Sequence, residues 1–445
     1  MRSMPRFSAL PIVVASLLFG ALAHARDHSV ATITISAAPG QDWQVTYRLP
    51  QPASKLVFVR SPDTSRTTTW RSTSEFEIVA STATDEIVQR RDGAKFAEVS
   101  LQVPPRYAVL PDDYGPFSPF GDGGMLFHTG RFFACGDLCP KVTTWVMRLN
   151  APGWDQILLD GKRKNGKATW EDSGEGRHVY LGSTNAVETP DLIAIIDHAL
   201  PPSMRAQLEN DLPKFMSYYS ARLGSLPRKP TLFVSYELTT PTGRPNGSGA
   251  QGGVLGGQIF MHFYGGKLQE KMQKPDFARE LAWFMAHEAG HMYQRGREAP
   301  TEGAWIHEGS AEAFAAIALR AVDADNAAYV DSRIAKAQKE CSAKLEGKSL
   351  HEAGRVPGNQ VPYSCGVLLN LSIDAAARRA GNADGLFAVW RSYISRTEYR
   401  PGFPSPTGET DYLAAVGEVG GAAVADWVRR VVEVQGADLT RVEVQ

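Results

Sequence analysis

The sequence predicts an α+β protein: an antiparallel β domain comes first and a largely helical region follows. Three observations carry that expectation. From Val30 to about Ser183, short alternating runs (ATITIS, WQVTYRLP, KLVFVRS, EFEIVAS, KFAEVSLQVP, TTWVMRLNAP, QILLDGK, RHVYLGS) are separated by turn residues, the period-two pattern of half-buried strands. After Ser183, apolar residues recur at helical spacing, first in Pro201 to Gly224 with proline early and glycine late. Finally, FMAHEAGHMYQRG (Phe284 to Gly296) and WIHEGSAEAFAA (Trp305 to Ala316) set ionisable side chains inside apolar helical patterns.

In chain order, residues 1–25 carry Arg2 and Arg6, an apolar stretch from Ala9 to Leu22 and a small-x-small ending, Ala23-His24-Ala25. This predicts a secretory signal peptide cut before Arg26. The apolar run is short for a membrane span and no later segment reaches the needed length, so the mature chain is expected to be exported, periplasmic or extracellular, without a span. At 445 residues, with 43% hydrophobic and 21% charged, the chain suffices for two or three domains. A formal net charge of −1 makes no electrostatic case for nucleic acid or an anionic membrane.

Four cysteines in an exported chain read as two disulfides. Proximity favours Cys135 with Cys139, leaving Cys341 with Cys365, one of three possible pairings. A metal site at Cys135 and Cys139 is the alternative, though no histidine lies near them in sequence. The stretch Tyr114 to Gly130, rich in Gly, Pro and aromatics, reads as a structured loop. PTLFVSYEL reads as a strand, Thr239 to Gly253 as a loop, and QIFMHFYGG as an edge strand on which His262 faces solvent. From Thr301 onward the pattern is helical.

His287 and His291 are four residues apart in an apolar helical segment, so both rings leave one face. Two imidazoles so placed can grip one zinc ion. Glu288 stands at the general-base position of a metalloprotease helix, and sixteen residues separate His291 from Glu308, the candidate third ligand. Glu312, one turn further, is placed to orient a ligating histidine, with a solvated carboxylate as the alternative. The alternative for the whole stretch is a surface helix with two solvated histidines. Against it stands the apolar run Leu281 to Ala286, which buries the element and leaves unpaired rings costly.

HEAGH followed by WIHEGSAE resembles the gluzincin signature of the alanyl aminopeptidase and glycyl aminopeptidase families, in which Trp-x-x-Glu-Gly-x-x-Glu carries the third ligand. VPYSCGVLLNLSIDAAARR, Val361 to Arg379, is similar to those families' Tyr-x-Lys-Gly helix start, so the resemblance gives Tyr363 the role of stabilising the tetrahedral transition state. It also implies a β-rich domain over 26–185, a thermolysin-like zinc catalytic domain over 186–325 and a helical region over 326–445. The family lysine is Cys365 here, the asparagine before the ligand is His307, and the spacer is shorter. The Gly-x-Met-Glu-Asn segment, whose glutamate holds the substrate's amino group, corresponds to Gly252 to Gly266, which contains no acidic residue.

Together the residues and the resemblance predict an exported peptidase with one zinc ion, aminopeptidase-like, acting on peptide or protein substrates. The alternatives are an endopeptidase of the same fold and a zinc-containing peptide-binding protein without catalysis.

Overall fold

The computed structural model describes residues 30–61, 64–82, 85–108, 110, 115–140, 143–238, 248–294, 303–355, 360–396 and 408–434. The expected signal peptide, 1–25, lies outside them, as do most of the Thr239 to Gly253 loop and the connection after Gln294.

The first part is β apart from two short helical turns, Arg66–Thr69 and Thr129–Phe132. One sheet has six strands in the order Lys167–Ser173, Thr144–Asn150, Thr32–Ser36, Trp43–Ala53, Phe96–Val103, Arg71–Ser72. Its pairings are antiparallel except that Thr32–Ser36 runs parallel to Thr144–Asn150. The alternation read in WQVTYRLP is real burial: Trp43, Val45, Tyr47 and Leu49 point inward. A four-stranded sheet and a five-stranded sheet complete this part. Trp43 meets Phe117 and Phe127 edge-to-face, at 5.0 and 5.1 Å between centroids. Phe117–Pro119 and Met125–His128 are paired strands of the five-stranded sheet, so the stretch expected to be a loop contains a hairpin. Gly121 and Gly123 lie in the turn between the two strands, while Phe117 and Phe127 fill the core.

A second five-stranded sheet comes next, ordered Val187–Glu188, Ile193–Ile196, Thr231–Glu237, Gln258–Tyr264, Gly249–Leu255. The three central strands are parallel, and Gly249–Leu255 returns antiparallel on the edge. On one face Ile259, Met261 and Phe263 join the helical core, while on the other Ile195, Phe233 and Phe260 pack on Phe120, Leu126 and Tyr180 of the β part. Gln258 ties the two parts together: its amide donates to the His178 carbonyl at 2.8 Å and accepts from the His178 N–H at 2.6 Å.

Two expectations are corrected here. Gln258–Tyr264 is interior and buried along its whole length, and the edge strand is Gly249–Leu255. AQGGVL shows no alternation that would reveal a strand, because glycine has no side chain to report a face. His262 therefore does not face solvent. Its ring is fully buried under Tyr107, at 3.9 Å between centroids, and Nδ1 lies 2.7 Å from Ser235 Oγ.

The longer helices Pro202–Leu223, Phe277–Gln294, Ala304–Val322, Ala327–Leu345, Val361–Arg379, Leu386–Arg396, Glu409–Gly420 and Ala422–Glu433, with the short Leu268–Met272 and Leu350–Gly354, form the rest, confirming the α+β class. Ala304–Val322 is alanine-rich, which favours helix locally and permits close packing. Pro362 stands in the first turn of Val361–Arg379, where a missing N–H does no harm. These two helices cross with Gly309 against Gly366. Buried bonds lock the crossing: Ser310 Oγ donates to Asn370 Oδ1 at 3.0 Å, and Asn370 Nδ2 donates to the Trp305 carbonyl at 3.1 Å. Both expected disulfides are present. Cys135–Cys139 staples a short strand to the turn after it, which removes the metal-site alternative for that pair. Cys341–Cys365 ties Ala327–Leu345 to the first turns of Val361–Arg379. Among the described residues no helix is long and apolar enough to cross a membrane.

Candidate metal centre

The helix Phe277–Gln294 buries Leu281, Trp283, Met285 and Ala286 against the core, which fixes the position of the next turn. His287 and His291, one turn apart, present their Nε2 atoms to each other at 2.9 Å. Ala304–Val322 delivers Glu308, whose Oε2 lies 3.3 Å from each of those nitrogens. Among the described residues this is the one group of three His, Cys, Asp or Glu ligand atoms close enough to share an ion.

The triangle has the right size. With zinc–ligand bonds of about 2.0–2.1 Å, tetrahedral ligand atoms stand about 3.3 Å apart. The observed edges of 2.9, 3.3 and 3.3 Å match to within a few tenths of an ångström. The electrostatics agree. Burial raises the Glu308 carboxyl, but the His291 and His287 rings outweigh it and hold that carboxyl well below the usual range. Burial penalises a charge on His287, and Glu308 and Glu312 outweigh it, so the pocket favours positive charge between its rings.

Each imidazole is held from behind. His287 Nδ1 lies 3.0 Å from Glu312 Oε1, and Trp283 Nε1 donates to Glu312 Oε2 at 2.9 Å. Arg333 approaches the same oxygen at 3.7 Å and lies over the Trp283 ring at 4.3 Å. His291 Nδ1 faces Gln294 Oε1 at 2.8 Å. Sequence reasoning misses Trp283, Gln294 and Arg333. Gln294 carries a usable signal, since it stands three residues after His291 on the same helix.

Glu288 is buried, its Oε2 has no hydrogen-bond partner among the described residues, and burial raises its pKa. An orphaned carboxylate oxygen beside a ligand triangle is aimed at something the protein itself does not supply. Tyr363, at the start of Val361–Arg379, stacks its ring 6.1 Å from that of His287. Its phenol is pushed up by burial and then by Glu308, so it stays a donor. His307 flanks the triangle: its ring stacks on His291 at 4.2 Å and its Nε2 is 3.7 Å from Glu308 Oε1, while burial pulls its pKa down to about 3. All six residues expected at the site, His287, Glu288, His291, Glu308, Glu312 and Tyr363, thus converge.

The edge strand passes beside this helix. A Cβ on Gly252 would lie 2.2 Å from Phe284 Cζ, so the Phe284 ring fills the space a side chain at 252 would need.

No protein-family model matches the sequence, and no curated protein matches it. Solved structures do match the fold. An aminopeptidase N family protein from Idiomarina loihiensis superimposes with a TM-score of 0.67 at 11% identity, over 92% of this chain and 78% of that one. An M1 zinc metallopeptidase from Deinococcus radiodurans, a mutant bound to a Tyr-Ser-Ala substrate, gives 0.51 at 15% identity, over 93% and 95%. Native leukotriene A4 hydrolase from Saccharomyces cerevisiae gives 0.51 at 11% identity, over 92% and 68%. At these identities the likeness is one of fold.

Proposed function

From a chain with the fold of the M1 aminopeptidases, we propose a zinc-dependent peptidase that holds one ion on His287, His291 and Glu308 and hydrolyses peptide bonds. The triangle of ligand atoms, sized for a tetrahedral ion, is the observation that carries this reading. A bound zinc ion supplies a Lewis acid that brings the pKa of water towards neutrality.

Glu288, with its free buried oxygen, takes the proton of the attacking water at Oε2 and returns it to the leaving amine. Tyr363 donates its hydroxyl to the carbonyl oxygen as charge develops there. Glu312 keeps His287 turned so that Nε2 faces inward. The edge strand Gly249–Leu255 stands at the margin of its sheet, the position from which a strand can pair with an extended peptide.

The fold's aminopeptidase members favour cleavage at a free N-terminus. One observation favours internal bonds instead, namely the Phe284 ring occupying the side-chain space of Gly252 in the stretch where the aminopeptidase families place their amine-holding glutamate. Two disulfides fit an exported enzyme, with residues 1–25 as its leader, acting in a periplasm or outside the cell.

The test is peptide hydrolysis by wild type and Glu288→Gln, each with zinc content measured. The variant should keep one zinc per chain and lose about 10²–10⁴-fold in kcat. Equal activity of the two sinks the catalytic reading and leaves a zinc-bearing peptide binder. Comparing one peptide with free and acetylated N-termini divides the modes, because loss of cleavage on acetylation marks the aminopeptidase.

A further inference from the structure

We propose that Gln294 is the positioning residue that selects the metal-binding tautomer of His291 and joins the two ligand-bearing segments across one side-chain amide. This rests on the zinc reading above and names a residue outside the motif.

The assignment comes from donors and acceptors. Gln294 is fully buried, so water cannot replace either of its bonds. Its amide meets two partners, the His307 backbone carbonyl at 2.8 Å and His291 Nδ1 at 2.8 Å. A backbone carbonyl only accepts, so the NH2 end of the amide must face His307. The oxygen end is then fixed on His291 Nδ1, and it too only accepts. Nδ1 therefore carries the hydrogen. Nε2, the nitrogen facing His287 and Glu308, is left with its lone pair free for a metal. No second orientation of the amide satisfies both neighbours.

Place in the chain makes this more than a local bond. Gln294 is the last described residue of its helix, and His307 immediately precedes Glu308. One amide thus spans from the second histidine to the backbone next to the third ligand. His307 adds a face to the hold, its ring lying 4.2 Å from that of His291 at 29°. His291 is pinned at its edge by Gln294 and on its face by His307. His287 is oriented by a different means, the carboxylate of Glu312. Using a neutral amide for the other ring orients it without adding a further negative charge to a pocket that already holds Glu288, Glu308 and Glu312.

The experiment is zinc affinity by chelator competition on the full chain. Gln294→Met keeps length and apolar bulk while removing donor and acceptor, and should weaken zinc binding about 10–100-fold. Gln207→Met is the control. Its amide donates to the Ala278 carbonyl at 2.6 Å on the same helix, away from the ligand atoms, and its removal should leave zinc affinity unchanged. Equal weakening in both variants overturns the proposal in favour of general loosening. In zinc-loaded wild type, long-range 1H–15N correlations should show His291 protonated at Nδ1, and protonation at Nε2 overturns it without any variant needing to fold. Tight wild-type binding with an unchanged Gln294→Met overturns this inference alone. A wild type that takes up no zinc overturns the metal reading with it.

Discussion

Gly309 and Gly366 stand where the helix carrying Glu308 crosses the helix carrying Tyr363, which makes Gly309→Ala a sharp probe of the site. A Cβ at 309 would lie 2.5 Å from Gly366 Cα and 2.6 Å from its carbonyl carbon. Ordinary contact begins near 3.4 Å, so the backbones must part by 0.9 Å, the difference between 3.4 and 2.5. Neither obstacle is a flexible side-chain tip, and the Ser310, Asn370 and Tyr412 bonds resist the movement. Overpacking of this kind costs about 1–3 kcal/mol of stability. The larger effect is on chemistry, because Tyr363 is three residues from Gly366 and moves with it. A misplacement near 1 Å lowers turnover about 10²-fold. The assay is thermal unfolding, zinc content and kcat on a peptide for wild type, Gly309→Ala and Gly354→Ala. A Cβ at 354 meets nothing within 4 Å among the described residues, so that variant should behave as wild type. If Gly309→Ala keeps wild-type stability and kcat, the close crossing does not set the position of Tyr363 and the reasoning fails.

Tyr363→Phe should lower kcat about 10²–10³-fold with KM little changed, since the hydroxyl acts where charge develops; an unchanged kcat removes Tyr363 from the mechanism. Acid should destabilise the fold through buried neutral histidines. Burial pulls His128 and His262 down to about 3, while an unfolded histidine titrates near 6.5, so the unfolded chain binds the proton first and stability falls from pH 6.5 towards 3. At pH 5 each residue accounts for about 2 kcal/mol, and His262→Gln should remove that share of the difference in urea midpoint between pH 7.5 and pH 5; an undiminished difference refutes the assignment. Replacing Cys341 and Cys365 by alanine opens a link of sequence separation 24 and should cost about 3 kcal/mol in denaturant unfolding. Titration of four free thiols in native protein would contradict both bridges.

Sequence and structure agree where the information is local. His287, Glu288 and His291 are legible because helical spacing alone puts them on one face, and Glu308 with Glu312 repeats that logic one helix later. Tyr363 is legible through its motif rather than its spacing. The cysteine pairs are legible from proximity along the chain. Strand order is not legible in the same way. Gly249 to Gly253 falls within the stretch read as a loop because glycines show no period, and Gly249–Leu255 becomes an edge strand only when Gln258–Tyr264 is in place to pair with it. The same pairing buries His262, which nothing in QIFMHFYGG distinguishes from an exposed histidine.

What the sequence determined by itself was the grouping of His287, His291 and Glu308 and the helices that bear them, since backbone periodicity assigns a face within one element. Tertiary structure alone decided how these side chains are held: Trp283 on Glu312, Gln294 between His291 and His307, Gly309 against Gly366, Phe284 in the space beside Gly252. Each of these depends on two segments meeting in three dimensions, and a donor finds its acceptor, or a missing Cβ its neighbour, only once the whole core has closed around them.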